Sequence, residues 1–202
     1  MTDRQFLWGL AKGVMMFAIA GAFWFGLGIG MSASHLGGLE IAALTACQAG
    51  GCVALMWGAV RLRRRAGFHR SELHAADGQV RLETRHVMAV LRWTMVLQVV
   101  LISAAVWWCV RAGAEPMIWP CIGLIVSLHL IPLAKVFHVR TYYVTAAAGT
   151  GVSLATAASG PGPFAVVLLA AGMSAAMWLS AAYILARAGA IAMRALRDPW
   201  VV

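Results

Sequence analysis

The sequence predicts an all-α, polytopic membrane protein in which six transmembrane helices form one integral membrane domain over 1–202, with both termini in the cytoplasm. Of the 202 residues, 62% are hydrophobic and 11% are charged, whereas a soluble domain is about half apolar and a quarter charged. The chain divides into six apolar segments, each long enough to cross a hydrocarbon core. Nearly all lysines and arginines fall between alternate segments. Together these observations exclude a water-soluble fold.

Ionisable residues help to delimit the first three predicted spans, because a charge is costly inside the hydrocarbon. Span 13–31 begins directly after Lys12. Spans 41–60 and 87–110 are apolar runs with an ionisable residue just beyond each end. The one long connection, 61–86, is predicted to be a cytoplasmic loop.

Proline and glycine help to delimit the last three predicted spans, since both residues interrupt helices. Span 117–134 follows a proline, span 142–159 ends before a Gly-Pro-Gly segment, and span 163–186 begins with a proline, which the first helical turn tolerates. The connections between these spans are short, which makes consecutive helices antiparallel neighbours.

The basic residues orient the chain. With the amino terminus inside, every lysine and arginine except Arg92 and Arg111 lies on the cytoplasmic side. Because lysine and arginine resist translocation, this distribution predicts an inner (plasma) membrane protein of net charge +9, with the charge concentrated inside. Most tryptophans fall near a predicted interface, where the indole ring is favoured. Trp24 and Trp178 lie deeper and need either a partner for the indole N–H or a position facing another helix.

A cluster of arginines follows the second span and is expected to contact lipid. Basic residues just cytoplasmic of a helix are attracted to an anionic inner leaflet by about 1 kcal/mol each, and the same cluster also serves as an ordinary stop-transfer anchor. The predicted headgroup contacts are Arg61, Arg63, Arg64 and Arg65.

Polar residues within the spans are the best functional indicators, because they are costly in lipid. Five fall near mid-depth and a sixth, His129, lies slightly nearer the cytoplasm. If their helix faces converge, they form a polar substrate pocket; the alternative is that each simply bonds to a neighbouring helix. The predicted set is Gln48, Gln98, Ser127, His129, Thr150 and Ser174.

The end of the fourth span combines a proline with an ionisable residue. Pro132 has no N–H to donate to the carbonyl of Leu128, so that carbonyl is freed next to His129. Interrupted helices of this kind occur at transporter sites, although an ordinary helix end has the same pattern. As a haem ligand His129 would need a second axial group, for which His86 and His138 are the candidates on the inner side.

Small residues recur at every fourth position in three spans, a pattern that allows helix backbones to approach closely. It predicts a tight bundle and is also compatible with self-association. The three stripes are Ala18, Ala22, Gly26 and Gly30; Ala43, Cys47 and Gly51; and Ala147, Gly151, Ala155 and Ser159.

The four cysteines match no metal motif. Cys47 and Cys52 lie within the second span and are interpreted as packing residues. Cys109 and Cys121 flank the outer turn between the third and fourth spans, so a disulfide facing an oxidising compartment is compatible with the sequence.

The segment Leu128-His-Leu-Ile-Pro-Leu-Ala-Lys-Val-Phe137, followed by Tyr142-Tyr-Val-Thr145, resembles a stretch found in small bacterial multi-helix membrane proteins of an uncharacterised, unknown-function family. The resemblance is limited to 128–145. It implies a multi-helix membrane fold with this junction as a landmark and implies no activity.

Three functions are compatible with these features. The leading hypothesis is a small-solute transporter or channel-like protein with a site at mid-membrane. The alternatives are a non-transporting accessory or structural subunit of a membrane complex, and a haem or quinone redox protein. No catalytic motif is complete, so an enzyme is not expected, and no cofactor is assigned. Expected partners are the bilayer with its anionic inner leaflet and a second copy or another membrane protein, and no nucleic acid is expected.

Overall fold

A computed structural model describes residues 3–65, 78–137 and 139–197, and these are helical apart from short turns. Side chains are described for 10–64, 89–137, 139–162 and 164–190. Short 3-10 turns cover Ala33–His35 and Glu115–Met117. The α-helices are α1 (Asp3–Ser32), α2 (Gly38–Arg65), α3 (Gly78–Arg111), α4 (Ile118–Leu128), α5 (Leu130–Phe137), α6 (Arg140–Ala158) and α7 (Pro163–Arg197).

Five segments of the described chain are long and apolar enough to cross a membrane. Four of them coincide with α1, α2, α3 and α7, and the fifth, Glu115–Phe137, contains α4 and α5. Helix α6 is not among the five because threonine, serine and glycine lower its hydropathy. The all-helical fold and a set of apolar helices are thus confirmed, while a sixth span stays a prediction.

The helix limits differ from the predicted spans at two places. Helix α2 continues to Arg65 and α3 begins at Gly78, so both ends of the predicted loop 61–86 are helical. The fourth span is divided at His129 into α4 and α5. Apolarity marks the part of a helix that can lie in lipid, whereas backbone hydrogen bonding continues through the charged residues beyond it.

Contacts between helices place α1 and α7 at the centre of the structure. Helix α1 packs most extensively on α7, and α2 packs on both. Helix α6 lies against the other side of α7 and also contacts α4 and α5. Helix α3 contacts the rest of the bundle through α4, α5 and the turn at Glu115–Met117. Among the described residues, α2 and α3 therefore occupy opposite sides of the bundle, although they follow each other in the chain.

The two ends of the bundle differ in charge. At one end Gly13 of α1 meets Tyr142 of α6, and Gly58 of α2 meets Leu185 of α7. At the opposite end Met31, Glu115 and Ala165 line one cavity. The first end, called here the basic end, carries Lys12, Arg61, Arg63, Arg64, Lys135, Arg140 and Arg187, whereas the described charged residues at the opposite end are Glu40, Arg111 and Glu115.

Trp178 of α7 joins three helices. Its indole N–H donates to the carbonyl oxygen of Ala18 on α1 at 3.3 Å, and its ring stacks on Phe25 at 5.6 Å between centroids. The same ring lies against Gly21 of α1 and Gly51 of α2. Both glycines are needed here because a side chain would occupy the volume of the indole. Trp178 thus has the deep indole partner expected from the sequence.

Trp24 has the other expected position, since it is only 2% exposed and faces the interior. The predicted small-residue stripes differ in whether they pack inside the bundle. Ala18 is buried and Gly26 lies against Gln48, but the complete α6 stripe is exposed. Helix α6 packs instead through Tyr142, Thr145, Ala146, Gly149, Ser153 and Thr156.

A pair of adjacent glycines in α2 tests the Trp178 junction. A Cβ at position 51 would lie 2.9 Å from Trp178 Cζ3, whereas a Cβ at position 50 meets nothing within 4 Å. We expect Gly51→Ala to lower the free energy of unfolding by about 1–3 kcal/mol through overpacking. Gly50→Ala, which adds the same methyl group, is expected to be neutral or stabilising by up to about 1 kcal/mol. Thermal unfolding in detergent compares the two variants, and equal midpoints would contradict the prediction.

Candidate functional site

Ser127 lies at the contact between α4, α6 and α7. It is 1% exposed, and its hydroxyl donates to the carbonyl oxygen of Gly123 at 2.8 Å. The same hydroxyl is 3.7 Å from the sulfur of Met173 and lies directly against Gly149. The hydroxyl is satisfied within its own helix, and its surroundings are packed side chains and backbone. Ser127 therefore acts here as a small packing residue.

The other interior hydroxyls follow the same rule. Ser174 donates to Ala170 at 2.6 Å, Ser153 to Gly149 at 2.8 Å, and Thr156 to Val152 at 2.8 Å. Bonds to the carbonyl four residues earlier are the usual way in which serine and threonine are satisfied within a helix. The hydroxyl groups of these three residues are therefore already used as donors.

Gln48 forms a structural bond between two helices. Its Nε2 donates to the carbonyl oxygen of Ala22 on α1 at 2.7 Å, and the amide lies against Gly26. An amide that crosses from α2 to α1 in this way holds the two helices in register. Thr150 is half-buried on α6, next to Gly149. The structure thus does not bring the six predicted residues into one pocket, since Gln48 lies on α2 and Gln98 on α3 at opposite sides of the bundle.

A hydrogen bond between α6 and α7 was not predicted from the sequence. The hydroxyl oxygens of Thr145 and Ser180 are 2.5 Å apart and both residues are buried. Thr145 also donates toward Thr141 at 2.9 Å. Helical spacing puts Thr145 on the same face as the buried Gly149, three to four residues away. The position of Ser180 on a facing helix is a property of the packing, which no sequence spacing indicates.

His129 marks the break between α4 and α5. Its backbone N–H still bonds to Ile125 at 3.1 Å, and its ring nitrogen Nδ1 is 2.5 Å from the carbonyl oxygen of Val126. Three residues later Pro132 has no N–H, so the carbonyl of Leu128 loses its helical donor. A proline kink accounts for the division of the helix. The predicted interruption is therefore present, with the histidine ring turned back onto its own helix.

Gln98 on α3 is the exception among the polar residues. It is half-buried, and its side-chain oxygen Oε1 is fully buried with no hydrogen-bond partner. A buried acceptor without a donor is costly, by about 1–3 kcal/mol. Other buried side-chain oxygens and nitrogens in the described part of the chain have partners, so this atom is the one whose bonding the fold leaves open.

Gln98 lies level with the helix break. The thiols of Cys109 on α3 and Cys121 on α4 are neighbours, and these two helices pack on each other. Gln98 lies eleven residues before Cys109 on α3, and Pro132 lies eleven residues after Cys121 along α4 and α5. Each is therefore about 16 Å from the cysteine pair along its helix. Because α3 contacts both α4 and α5, these equal distances assign Gln98 and the α4–α5 break to one layer of the bundle.

A cavity of about 520 Å³ opens at the end of the bundle opposite the basic end. Its wall is formed by the turn between α3 and α4, by the first turn of α4 and by the turn between α6 and α7. Two glycines with positive φ, Gly113 at 65° and Gly160 at 77°, allow these tight turns. Trp119, Pro120 and Thr156 also line it. The predicted site set did not include this cavity, since its residues come from segments distant in sequence.

The predicted headgroup arginines lie at the exposed end of α2. Arg61 stacks over the ring of Trp57 at 5.0 Å, and Arg63 and Arg64 are exposed. The side chain of Arg65 lies outside the described residues, as do those of His86 and His138. Among the residues that the structure describes, no group of three or more histidine, cysteine or acidic side chains could hold a metal ion.

The Thr145 to Ser180 bond can be measured by a double-mutant cycle. Thr145→Val and Ser180→Ala each remove one partner, and we expect a coupling free energy of about 0.6 kcal/mol, the average for such bonds in membranes. Thr45→Val with Ser180→Ala is the control pair, because Thr45 is exposed and donates to Ile41 of its own helix. Unfolding in detergent gives both couplings, and an equal coupling in the control pair would contradict the prediction.

Comparison with known proteins assigns no relative. No protein-family model, curated protein or solved structure matches this chain. The function must therefore be inferred from the chemistry of the chain itself, and the layer that contains Gln98 and the α4–α5 break is its most distinctive part.

Proposed function

We propose that the chain is a six-helix protein of the inner membrane with both termini in the cytoplasm. The 19 residues of α6 give a length of about 28 Å, close to the thickness of a hydrocarbon core. Part of the residues that lower the hydropathy of α6 are buried, namely Thr145, Gly149, Ser153 and Thr156, and the hydroxyls among them are hydrogen-bonded. A shielded helix needs less apolar surface than a helix that faces lipid. The concentration of lysine and arginine at the basic end supports the orientation.

The function that we propose is passage of a small, weakly polar solute through the layer formed by α3, α4 and α5. The observation that carries the proposal is the buried, unpartnered oxygen of Gln98, which belongs to a helix that packs on the interrupted pair α4 and α5. Within lipid, irregular backbone is tolerated where protein buries it or where it lines a cavity. The oxygen of Gln98, which lacks a donor, and the carbonyl of Leu128, which Pro132 cannot serve, are complementary to a solute that donates hydrogen bonds, such as an amide, an amine or an alcohol.

The arrangement of the helices supports a mechanism in which this layer opens by movement. Pro120 lines the cavity at the end opposite the basic end. It lies about 13 Å from His129 along α4, and the buried residues Gly123 and Ser127 lie between them. Solute therefore needs a rearrangement to pass. Helix α3 has few neighbours, and the proline break is a natural hinge in the facing helix. Alternate opening toward the two sides is the usual consequence of interrupted helices in transporters.

A second candidate function is an accessory subunit that binds another membrane protein. The observation that favours it is the exposure of the small-residue stripe on α6, which includes Ala147, Gly151 and Ala155. Such a stripe permits close approach of another helix. The flux experiment below separates this function from transport.

The sixth span has a direct test by cysteine labelling. In a chain whose four cysteines are replaced by serine, we expect Ala112→Cys and Ala158→Cys both to react with a membrane-impermeant maleimide in intact spheroplasts. Both positions are exposed and lie at the end opposite the basic end. If α6 does not cross the membrane, position 158 reacts only after lysis while position 112 still reacts from outside. That result would contradict the six-span topology.

Transport is tested in proteoliposomes with glycerol, urea and methylammonium as probes. We expect at least one of them to enter faster than in protein-free vesicles, and we expect Gln98→Leu and Pro132→Ala to reduce that rate at least several-fold. Thr94→Val is the matched control, because Thr94 lies one turn away on α3 and its hydroxyl bonds to its own helix at 2.8 Å. Stopped-flow light scattering follows glycerol and urea, and an internal pH dye follows methylammonium.

Two outcomes would count against transport. One is the absence of accelerated entry for all three probes with folded protein. The other is equal loss in Thr94→Val and Gln98→Leu, which would indicate general damage to α3. Isolation of the native protein with a stoichiometric membrane partner, together with absent flux, would favour the accessory function.

A further inference from the structure

Cys109 and Cys121 form a matched pair at the turn between α3 and α4. Cys109 lies in the last turn of α3 and is 4% exposed, and Cys121 lies in the first turn of α4. The thiol of Cys121 has the thiol of Cys109 as a close neighbour. The carbonyl oxygen of Cys109 also accepts from the N–H of Ala114 at 2.8 Å, which folds the connection back over the pair. Both residues are thiols in the structure.

The pair differs from the other two cysteines of the chain. Cys47 is exposed and Cys52 half-exposed along α2, and they are five positions apart on one helix, which does not place them on the same face. Cys109 and Cys121 belong to different helices that pack together. A disulfide requires two cysteines on approaching backbones, and this pair alone among the four has that arrangement.

We infer that Cys109 and Cys121 are joined by a disulfide in the mature protein and that this bond fixes α3 to the bundle. The position supports a structural effect, because within the described residues α3 makes its main contacts with α4, α5 and one turn. The same turn, with Trp119 and Pro120, forms one wall of the outer cavity. The bond therefore holds that wall in place.

The chemistry is thiol–disulfide exchange with an oxidised protein or small-molecule disulfide on the outer side. The thiolate of one cysteine attacks the donor disulfide and releases one donor thiol. The second cysteine then attacks the mixed disulfide, forms the bond between Cys109 and Cys121 and releases the other donor thiol. Two protons and two electrons leave the pair, and the donor takes both. This inference depends on the proposed orientation, since such bonds persist in oxidising compartments.

The test uses the full-length chain with Cys47→Ser and Cys52→Ser, which leaves only the pair. Cells that express it are quenched in acid and treated with a large maleimide, with or without prior reduction. We expect no gel shift without reduction and a shift by two labels after it. Cys109→Ser in the same background is the control and is expected to add one label without reduction, which verifies that position 121 can be labelled.

Addition of two labels without reduction would overturn the inference, and so would a reducible band at twice the monomer mass. Orientation is measured separately by reduction of intact spheroplasts followed by an impermeant maleimide. Labelling from outside is expected, whereas labelling only after lysis would contradict the proposed orientation and with it the disulfide. For the purified protein we expect the unfolding midpoint to fall by several degrees on reduction, with no such change in the Cys109→Ser control.

Discussion

The close approach of α1, α2 and α7 around Trp178 is the contact on which the arrangement of the other helices depends. In lipid no hydrophobic effect draws helices together, so contact requires small residues and cross-helix hydrogen bonds. Gly21 and Gly51 provide the space for the indole, and Ala18 provides the acceptor for its N–H. Gln48 adds a second bond, from α2 to Ala22 of α1. Once these helices are fixed, α6 packs on the free side of α7 and presents a surface to α4.

Polar groups in the interior are almost all satisfied locally, and this determines where chemistry can occur. Ser127, Ser153 and Ser174 donate to carbonyls of their own helices. These residues therefore serve as small packing residues, and their hydroxyl groups are not available as donors to a ligand. The oxygen of Gln98 differs because the described residues supply no donor to it. The carbonyl of Leu128 differs because Pro132 has no N–H to donate to it. Residues of similar polarity and depth thus have opposite roles, and the difference is whether a donor or acceptor lies within reach.

Part of the candidate site was predictable from single residues. Pro132 lacks an N–H wherever it is placed, so the interruption near His129 follows from the sequence alone. The predicted pocket was not predictable in the same way, because Gln48 and Gln98 belong to helices α2 and α3, which lie on opposite sides of the described bundle. The sequence predicts a similar depth for both residues along the membrane normal. That depth does not determine how far apart the two residues lie in the plane of the membrane. The cavity beside Glu115 was missed for the same reason, since two separate connections and the end of α1 contribute to its wall.

The sequence by itself determined the helical class, the apolar segments and the charge asymmetry between the two ends, because these depend on residue type and order along the chain. It also determined the helix break. Only the tertiary structure decided which helices are neighbours, which face of α6 is packed and which polar groups are left without partners. Apolar residues face both lipid and protein in a membrane, so hydropathy cannot distinguish the two, and the choice of neighbours depends on the fit of side chains such as Trp178 against Gly21 and Gly51.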